Sequence, residues 1–399
     1  MIQPRWERCN LDKVFLISLS KGEEHDYTAG LKLPATPYEL LDAMERIQFQ
    51  DGDQVTCTVE GYGKFNFLWP VMEKKLDLLA LNALAQRLTL LDEDGQIAFE
   101  ALVRTEQDKG VTTCPLERLV DLAYSTECCD VYPGVSNYGE LGYHYVENDL
   151  VPALKDIPEE DMVFIDYERI GRKFSGEEGG VLISRGYVLQ TEDLKEVFQT
   201  LDLSLRKPDY TILLGLTYGE EQTTLKLPAE PLTMDDALER LGAFGFGDVE
   251  IECLDCAAPI LVPSIGKGDN IAHINRLARK LQEMEPGELT KFKAVLVVTE
   301  EHTVQAATHI AYNLGEYLFT PQLVSSYDVG LNFLESELGA HVAETLLPHV
   351  NLYGYGNALL KAQEAELTEY GLVSREDGQN LKTAMKEAKH SDMGGMTLQ

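Results

Sequence analysis

Positive charge is what this sequence has least of. Across 399 residues, 34 lysines and arginines stand against 67 aspartates and glutamates, a formal charge of −33. So large a surplus repels phosphates, which excludes direct nucleic-acid binding, and it attracts any partner with a basic groove. The acids do not form a tail: 37 fall in residues 1–200 and 30 in the remainder. With 44% apolar residues the chain reads as a folded polyanion.

Long apolar runs are missing too. No stretch reaches the roughly 18 uncharged apolar residues of a membrane helix, and the start, "MIQPRWERCNLDK", lacks the apolar core of a targeting segment. The expectation is no membrane association and a cytoplasmic location. The seven cysteines, Cys9, Cys57, Cys114, Cys128, Cys129, Cys253 and Cys256, are odd in number and irregular in spacing, which suits a reducing compartment. Cys253 and Cys256 make one C-x-x-C, but no second pair or nearby histidine completes a zinc site, so they read as strand and loop thiols.

Catalytic arrangements are absent as well. The eight histidines are scattered with no H-E-x-x-H pair, and "SIGKGDN" (264–270) lacks the spacing that wraps a triphosphate. "GYGKFNF" (61–67) and "GYGN" (354–357) read as turns or strand entries. Neighbouring acids such as Glu159 and Glu160 would suit a hydrolase, yet a chain this acidic sets carboxylates side by side often. The expectation is no catalytic residue, no metal and no cofactor.

What is present is repetition. "LKLPATP" at 31–37 returns as "LKLPAEP" at 225–231, and the match extends both ways. Residues 13–60 and 210–254 both read strand, "GEE" turn, strand, proline break, short helix, strand. Thr36, Pro37 and Glu39 form a helix start in the first, with Thr233, Asp235 and Asp236 expected to do the same in the second. "LNALAQRL" (81–88) and "INRLARKL" (274–281) share an i, i+3, i+4, i+7 apolar stripe, each followed by a helix packing Phe99 or Phe292. Tyr124 matches Tyr312, Gly142 matches Gly330, Gly171 matches Gly356 and Gly186 matches Gly371, with an offset drifting only from 194 to 185.

The fold class expected is therefore α+β: two diverged copies of one unit, each a small β-rich subdomain, a helical cluster and a short α+β closing subdomain. The copies span 1–195 and 196–377, joined by a helix near 190–208, with a frayed tail at 378–399. In the first copy, "YHYVENDL" places Tyr143, Val146 and Leu150 on a buried helix face. In "KDIPEEDMVFIDYERIGRKF" (155–174), Val163, Phe164, Ile165 and Tyr167 read as core anchors for a strand or turn, with the acids outside.

"IPEEDMVFIDYERIGRKF", with the preceding "LNALAQRLTLLDEDGQIAFEAL" and "CCDVYPGVSNYGELGYHYVE", resembles three consecutive segments of the ArdA antirestriction proteins. The second copy departs from that pattern, with Asn351 for Asp166, Tyr353 for Glu168 and Asn357 for Arg172. The resemblance implies a non-enzymatic protein of mobile genetic elements, such as conjugative plasmids and transposons. It implies an elongated body that mimics duplex DNA, occupies the basic groove of type I restriction-modification enzymes, and works as a homodimer or, in a tandem chain, an intrachain pseudo-dimer. Duplex DNA carries about one negative charge per 1.7 Å of axis, so a mimic must hold many fixed carboxylates. The phosphate-mimicking acids this implies are Glu147, Asp149, Glu159, Glu160, Asp161, Asp166 and Glu168, with Glu335 and Glu337 as weaker counterparts. The bland alternative is an acidic scaffold protein whose carboxylates only keep it in solution.

Overall fold

Alternating apolar residues build the first sheet. In β1 (Phe15–Lys21), Phe15, Ile17 and Leu19 are buried while Leu16 is exposed. A computed structural model describes residues 13–21, 27–154, 158–266, 268–300 and 302–381 of the chain. β1 pairs antiparallel with β2 (Thr28–Leu33), Phe15 opposite Leu33. The chain then turns into α1 (Pro37–Arg46), whose start is the expected capping box: Thr36 accepts from the Glu39 N–H while the Glu39 carboxylate accepts from the Thr36 N–H. β3 (Val55–Gly61) closes the sheet on the other side of β1, with a bulge that sets Leu16 opposite Gly61 and Ile17 opposite Val59.

Helices α2 (Leu78–Thr89), α3 (Glu93–Asp108) and α4 (Leu116–Tyr124) cover this sheet. Leu81, Leu84, Ala85, Leu88 and Phe99 lie fully inside, as their spacing predicts. A second sheet, in the order β4-β6-β5, is made by β4 (Cys129–Pro133), β5 (Val181–Ile183) and β6 (Gly186–Gln190). The helices α5 (Tyr138–Glu147) and α6 (Tyr167–Glu178) fall between β4 and β5 in the chain.

The second half runs through the same order. β7 (Ile212–Tyr218), β8 (Glu221–Leu227), α7 (Pro231–Leu241) and β9 (Glu250–Cys256) come first, in the sheet order β8-β7-β9. Its bulge sets Leu213 opposite Asp255 and Leu214 opposite Cys253. α8 (Ile271–Glu283), α9 (Pro286–Thr299) and α10 (Val304–Tyr312) follow, then β10 (Tyr317–Pro321) and α11 (Ser326–Leu338). The half ends with α12 (Ala340–Leu346), α13 (Leu352–Ala362), β11 (Glu366–Thr368) and β12 (Gly371–Arg375), in the sheet order β10-β12-β11. The molecule is thus α+β, with four small three-stranded sheets among the described residues.

One asparagine in each half fixes the helices to the sheet. The Asn82 side chain accepts from the Ala35 N–H at 2.7 Å and donates to the Ala35 carbonyl at 3.1 Å. Asn275 does the same to Ala229, at 2.8 and 2.9 Å. Each amide satisfies both backbone polar groups of an alanine just past the end of a strand, where the ladder offers no partner.

Four expectations need correcting. The segment near 190–208 is not a helix but an extended strap with one 3-10 turn at Phe198–Thr200. Leu201, Leu203 and Leu205 alternate with polar residues and pack on the first core, while Asp121 holds the Val197 and Phe198 N–H groups at 2.7 and 2.8 Å. α7 starts at Pro231, one turn before Thr233 allows, and its N-cap Glu230 makes no side-chain cap bond. "GYGN" lies inside α13, for a reason given below. The tail begins ordered, with Leu381 buried; residues 382–399 lie outside the described residues.

The halves meet through α1. The buried Asp255 carboxylate accepts from the Thr36 hydroxyl at 2.7 Å, the Tyr210 phenol at 2.9 Å and the Cys256 N–H at 3.0 Å, with the Tyr38 N–H at 3.4 Å. Burial outweighs these donors and pushes its pKa up to about 6. One helical turn on, buried Lys293 meets Asp42 at 2.7 Å and Glu45 at 2.5 Å, and the Tyr370 phenol donates to Asp42 at 2.9 Å. Burial works to lower the Lys293 pKa, but the two carboxylates reverse this and hold it above its ordinary value. Arg46 reaches Glu369 at 2.7 Å.

Candidate functional site

Two glycines decide how the acidic segment is displayed. A Cβ on Gly142 would lie 1.8 Å from the Tyr167 carbonyl oxygen, and one on Gly171 would lie 1.9 Å from that of Tyr138. The backbones of α5 and α6 therefore touch, and because 142 meets 167 while 138 meets 171, the helices run antiparallel. The C-terminal end of α5 and the N-terminal end of α6 come to the same end of the pair. That end carries Glu147 and Asp149 from one helix, and Asp161, Asp166 and Glu168 from the other helix and its approach, all exposed.

These acids are not equivalent. Glu147 accepts from the Tyr143 phenol at 3.3 Å and its charge raises that phenol's pKa. Asp149 sits just past the helix at φ 55°, in the left-handed region. Both lie at the negative end of the α5 dipole, where a carboxylate is destabilising by about 0.3–1 kcal/mol. Asp149, Asp161, Glu335 and Glu337 form no ion pair with a described residue. Asp166 is the N-cap of α6, accepting from the Arg169 N–H at 3.0 Å, so a structural duty accounts for it. Glu168 is paired with Arg172 at 2.7 Å, and Arg172 in turn lies 4.6 Å over the Tyr138 ring, so its charge is largely answered locally. The side chains of Glu159 and Glu160 lie outside what is described.

The apolar expectations fail here in an informative way. Leu141 and Tyr145 are the buried residues of α5, with Tyr145 stacked on Phe174 at 4.6 Å, whereas Tyr143 and Leu150 are about half exposed. The glycine crossing puts 138, 142 and 145 inward, one position off the stripe read from the sequence. Val163 and Phe164 do not anchor a core; they end a 3-10 turn at Glu159–Phe164 and are 79% and 82% exposed. The acidic end thus has an apolar rim that sequence reasoning missed, because an apolar run reads as core unless its neighbours are known.

The second half builds the same crossing with less charge. A Cβ on Gly330 would lie 2.5 Å from the Leu352 carbonyl oxygen, and one on Gly356 1.8 Å from that of Ser326. This is why "GYGN" sits in a helix: Gly356 is the contact point. Asn351 caps α13 from the position that Asp166 holds in α6, with Gly354 N–H at 3.0 Å. Glu335 and Glu337 remain exposed near the C-terminal end of α11. Residues 138–178 hold 11 acids and four bases, while 326–364 hold five acids and one lysine, so the first half offers the stronger field.

Elsewhere the cysteines of "ECLDC" are buried on β9, where burial pushes the Cys256 thiol up to about 12. Among the described residues no cluster of metal-ligating side chains is found, and no helix is long and apolar enough to cross a membrane. No family model matches the chain, and no curated protein matches it.

Proposed function

We propose that this chain is a non-enzymatic DNA mimic that occupies the basic DNA-binding groove of a type I restriction-modification enzyme in the cytoplasm, and that it consists of two diverged copies of an ArdA-like unit. Support for the duplication comes from three devices that fall at matching positions: the asparagine clamp, the sheet bulge and the glycine crossing. None is dictated by either of the others.

The observation that carries the mimic reading is the end of the α5–α6 pair. There Glu147 and Asp149 are exposed at a helix end whose dipole opposes them. Charge kept where it costs stability points to a partner that uses it. A groove lined by lysine and arginine is that partner, and occupation would be stoichiometric and salt-sensitive.

Titrating the protein against cleavage by a type I restriction enzyme, with and without added salt, tests the reading. Inhibition that saturates near one inhibitor per enzyme and fades with salt is expected. No inhibition at molar excess and low salt overturns it.

A further inference from the structure

The joint between the halves has a direction. One half offers a key, the α1 face of Asp42, Glu45 and Arg46; the other offers a socket, in which Lys293 and Tyr370 receive the acids and Asp255 receives the helix start. Such a contact is heterologous, and a chain of repeated units could continue it from molecule to molecule into an open array. The second half still carries the acidic face of the key, while Glu230 replaces Thr36 and cannot donate to a carboxylate as Thr36 does. On the duplication reading, Asp42, Glu45 and Arg46 correspond to Asp236, Glu239 and Arg240 on α7, the same three residue types, all exposed. Leu232 beside them is 73% exposed.

The first half's socket differs. The aligned bulges put Gly61 where Asp255 stands. The aligned phenylalanines, Phe99 and Phe292, put Glu100 where Lys293 stands, and the aligned glycines put Arg185 where Tyr370 stands. Arg185 is already within 4.0 Å of Glu100 and 3.9 Å of Glu93. An incoming Asp236 and Glu239 would meet two carboxylates and an arginine that both already hold.

We propose that α7 keeps the acidic face of a docking key for a second copy of this chain, and that Glu93 and Glu100 close the first half's socket to it, ending the array at two units. The inference rests on the duplication reading, but its readout, association state, is independent of restriction inhibition.

Two variants approach it from opposite sides, each measured by sedimentation against concentration beside the wild type. Opening the socket with Glu100→Lys and Arg185→Tyr should raise the weight-average mass at least about twofold over a hundredfold rise in concentration, and adding Asp236→Ala with Glu239→Ala should abolish the rise. Inverting the exposed key with Asp236→Lys and Glu239→Lys leaves the socket untouched; it should produce the same association, abolished by Glu93→Gln with Glu100→Gln. The key variant alters only surface side chains, so it decides the matter if the socket variant fails to fold. An association state unchanged from the wild type in the folded key variant overturns the proposal, as does association that survives loss of the opposing residues.

Discussion

Asn82 and Asn275 each satisfy the N–H and the carbonyl of one alanine, Ala35 and Ala229. Replacing Asn82 with alanine leaves a buried N–H and C=O unpaired, at about 2 kcal/mol or more. The denaturant midpoint of the Asn82→Ala protein should fall accordingly, and Asn82→Asp, which keeps the acceptor but loses the donor, should fall too. Asp255 makes a second, pH-dependent prediction. Its pKa rises on folding, from the ordinary value near 3.8 to about 6, so its contribution is fully present below the lower value and is lost as pH climbs through the upper one. The difference is about 3 kcal/mol in order of magnitude. General relief of acid repulsion acts in the same direction, so the test is a comparison: unfolding midpoints between pH 4 and 7 should shift less in Asp255→Asn than in the wild type. Equal shifts would mean that the carboxylate titrates normally in the joint.

At the scale of elements, the helix pairs cross where their backbones touch, with rings such as Tyr145 and Phe174 packing beside the crossing. A methyl group at Gly142 must displace the Tyr167 carbonyl, and overpacking of this kind costs about 1–3 kcal/mol and sometimes more. Gly142→Ala should therefore raise amide hydrogen exchange across 138–178 while leaving the large cores protected, since the Leu141–Tyr145–Tyr187 cluster is separate from them. Loss of protection throughout the first half would show the lobe to be integral to that core. The glycines were visible in the sequence as matched positions, but a matched glycine reads equally well as a turn. Their partners were invisible, because which two helices cross is a long-range fact. The linking strap shows the same limit: Leu201, Leu203 and Leu205 have the spacing of two that argues for extended chain, while the acidic and polar residues around them resemble a surface helix.

For the whole molecule, the question is whether the charge acts as an array or only as a total. Neutralising Glu147, Asp149, Glu335 and Glu337 with their amides should weaken restriction inhibition by about tenfold or more. The same charge change at Glu192, Asp193, Glu220 and Glu221, exposed acids away from the helix-pair ends, should weaken it far less. Equal losses would make placement irrelevant and favour an acidic scaffold. Glu147→Gln should at the same time raise stability slightly, by up to about 1 kcal/mol, since it removes an anion from the negative end of a helix.

The amino-acid sequence alone determined the anionic total, the α+β composition, the capping box at Thr36 and the buried stripes of α2 and α8. These follow from local periodicity, capping chemistry and counting, all of which act within a few residues. Only the tertiary structure decided that Val163 and Phe164 are outside, that Tyr145 rather than Tyr143 faces inward, and that α1 of one half plugs into the other. Each of those depends on which distant surfaces meet. An exposed acid and a paired one, or a core phenylalanine and a rim one, are written with the same letters.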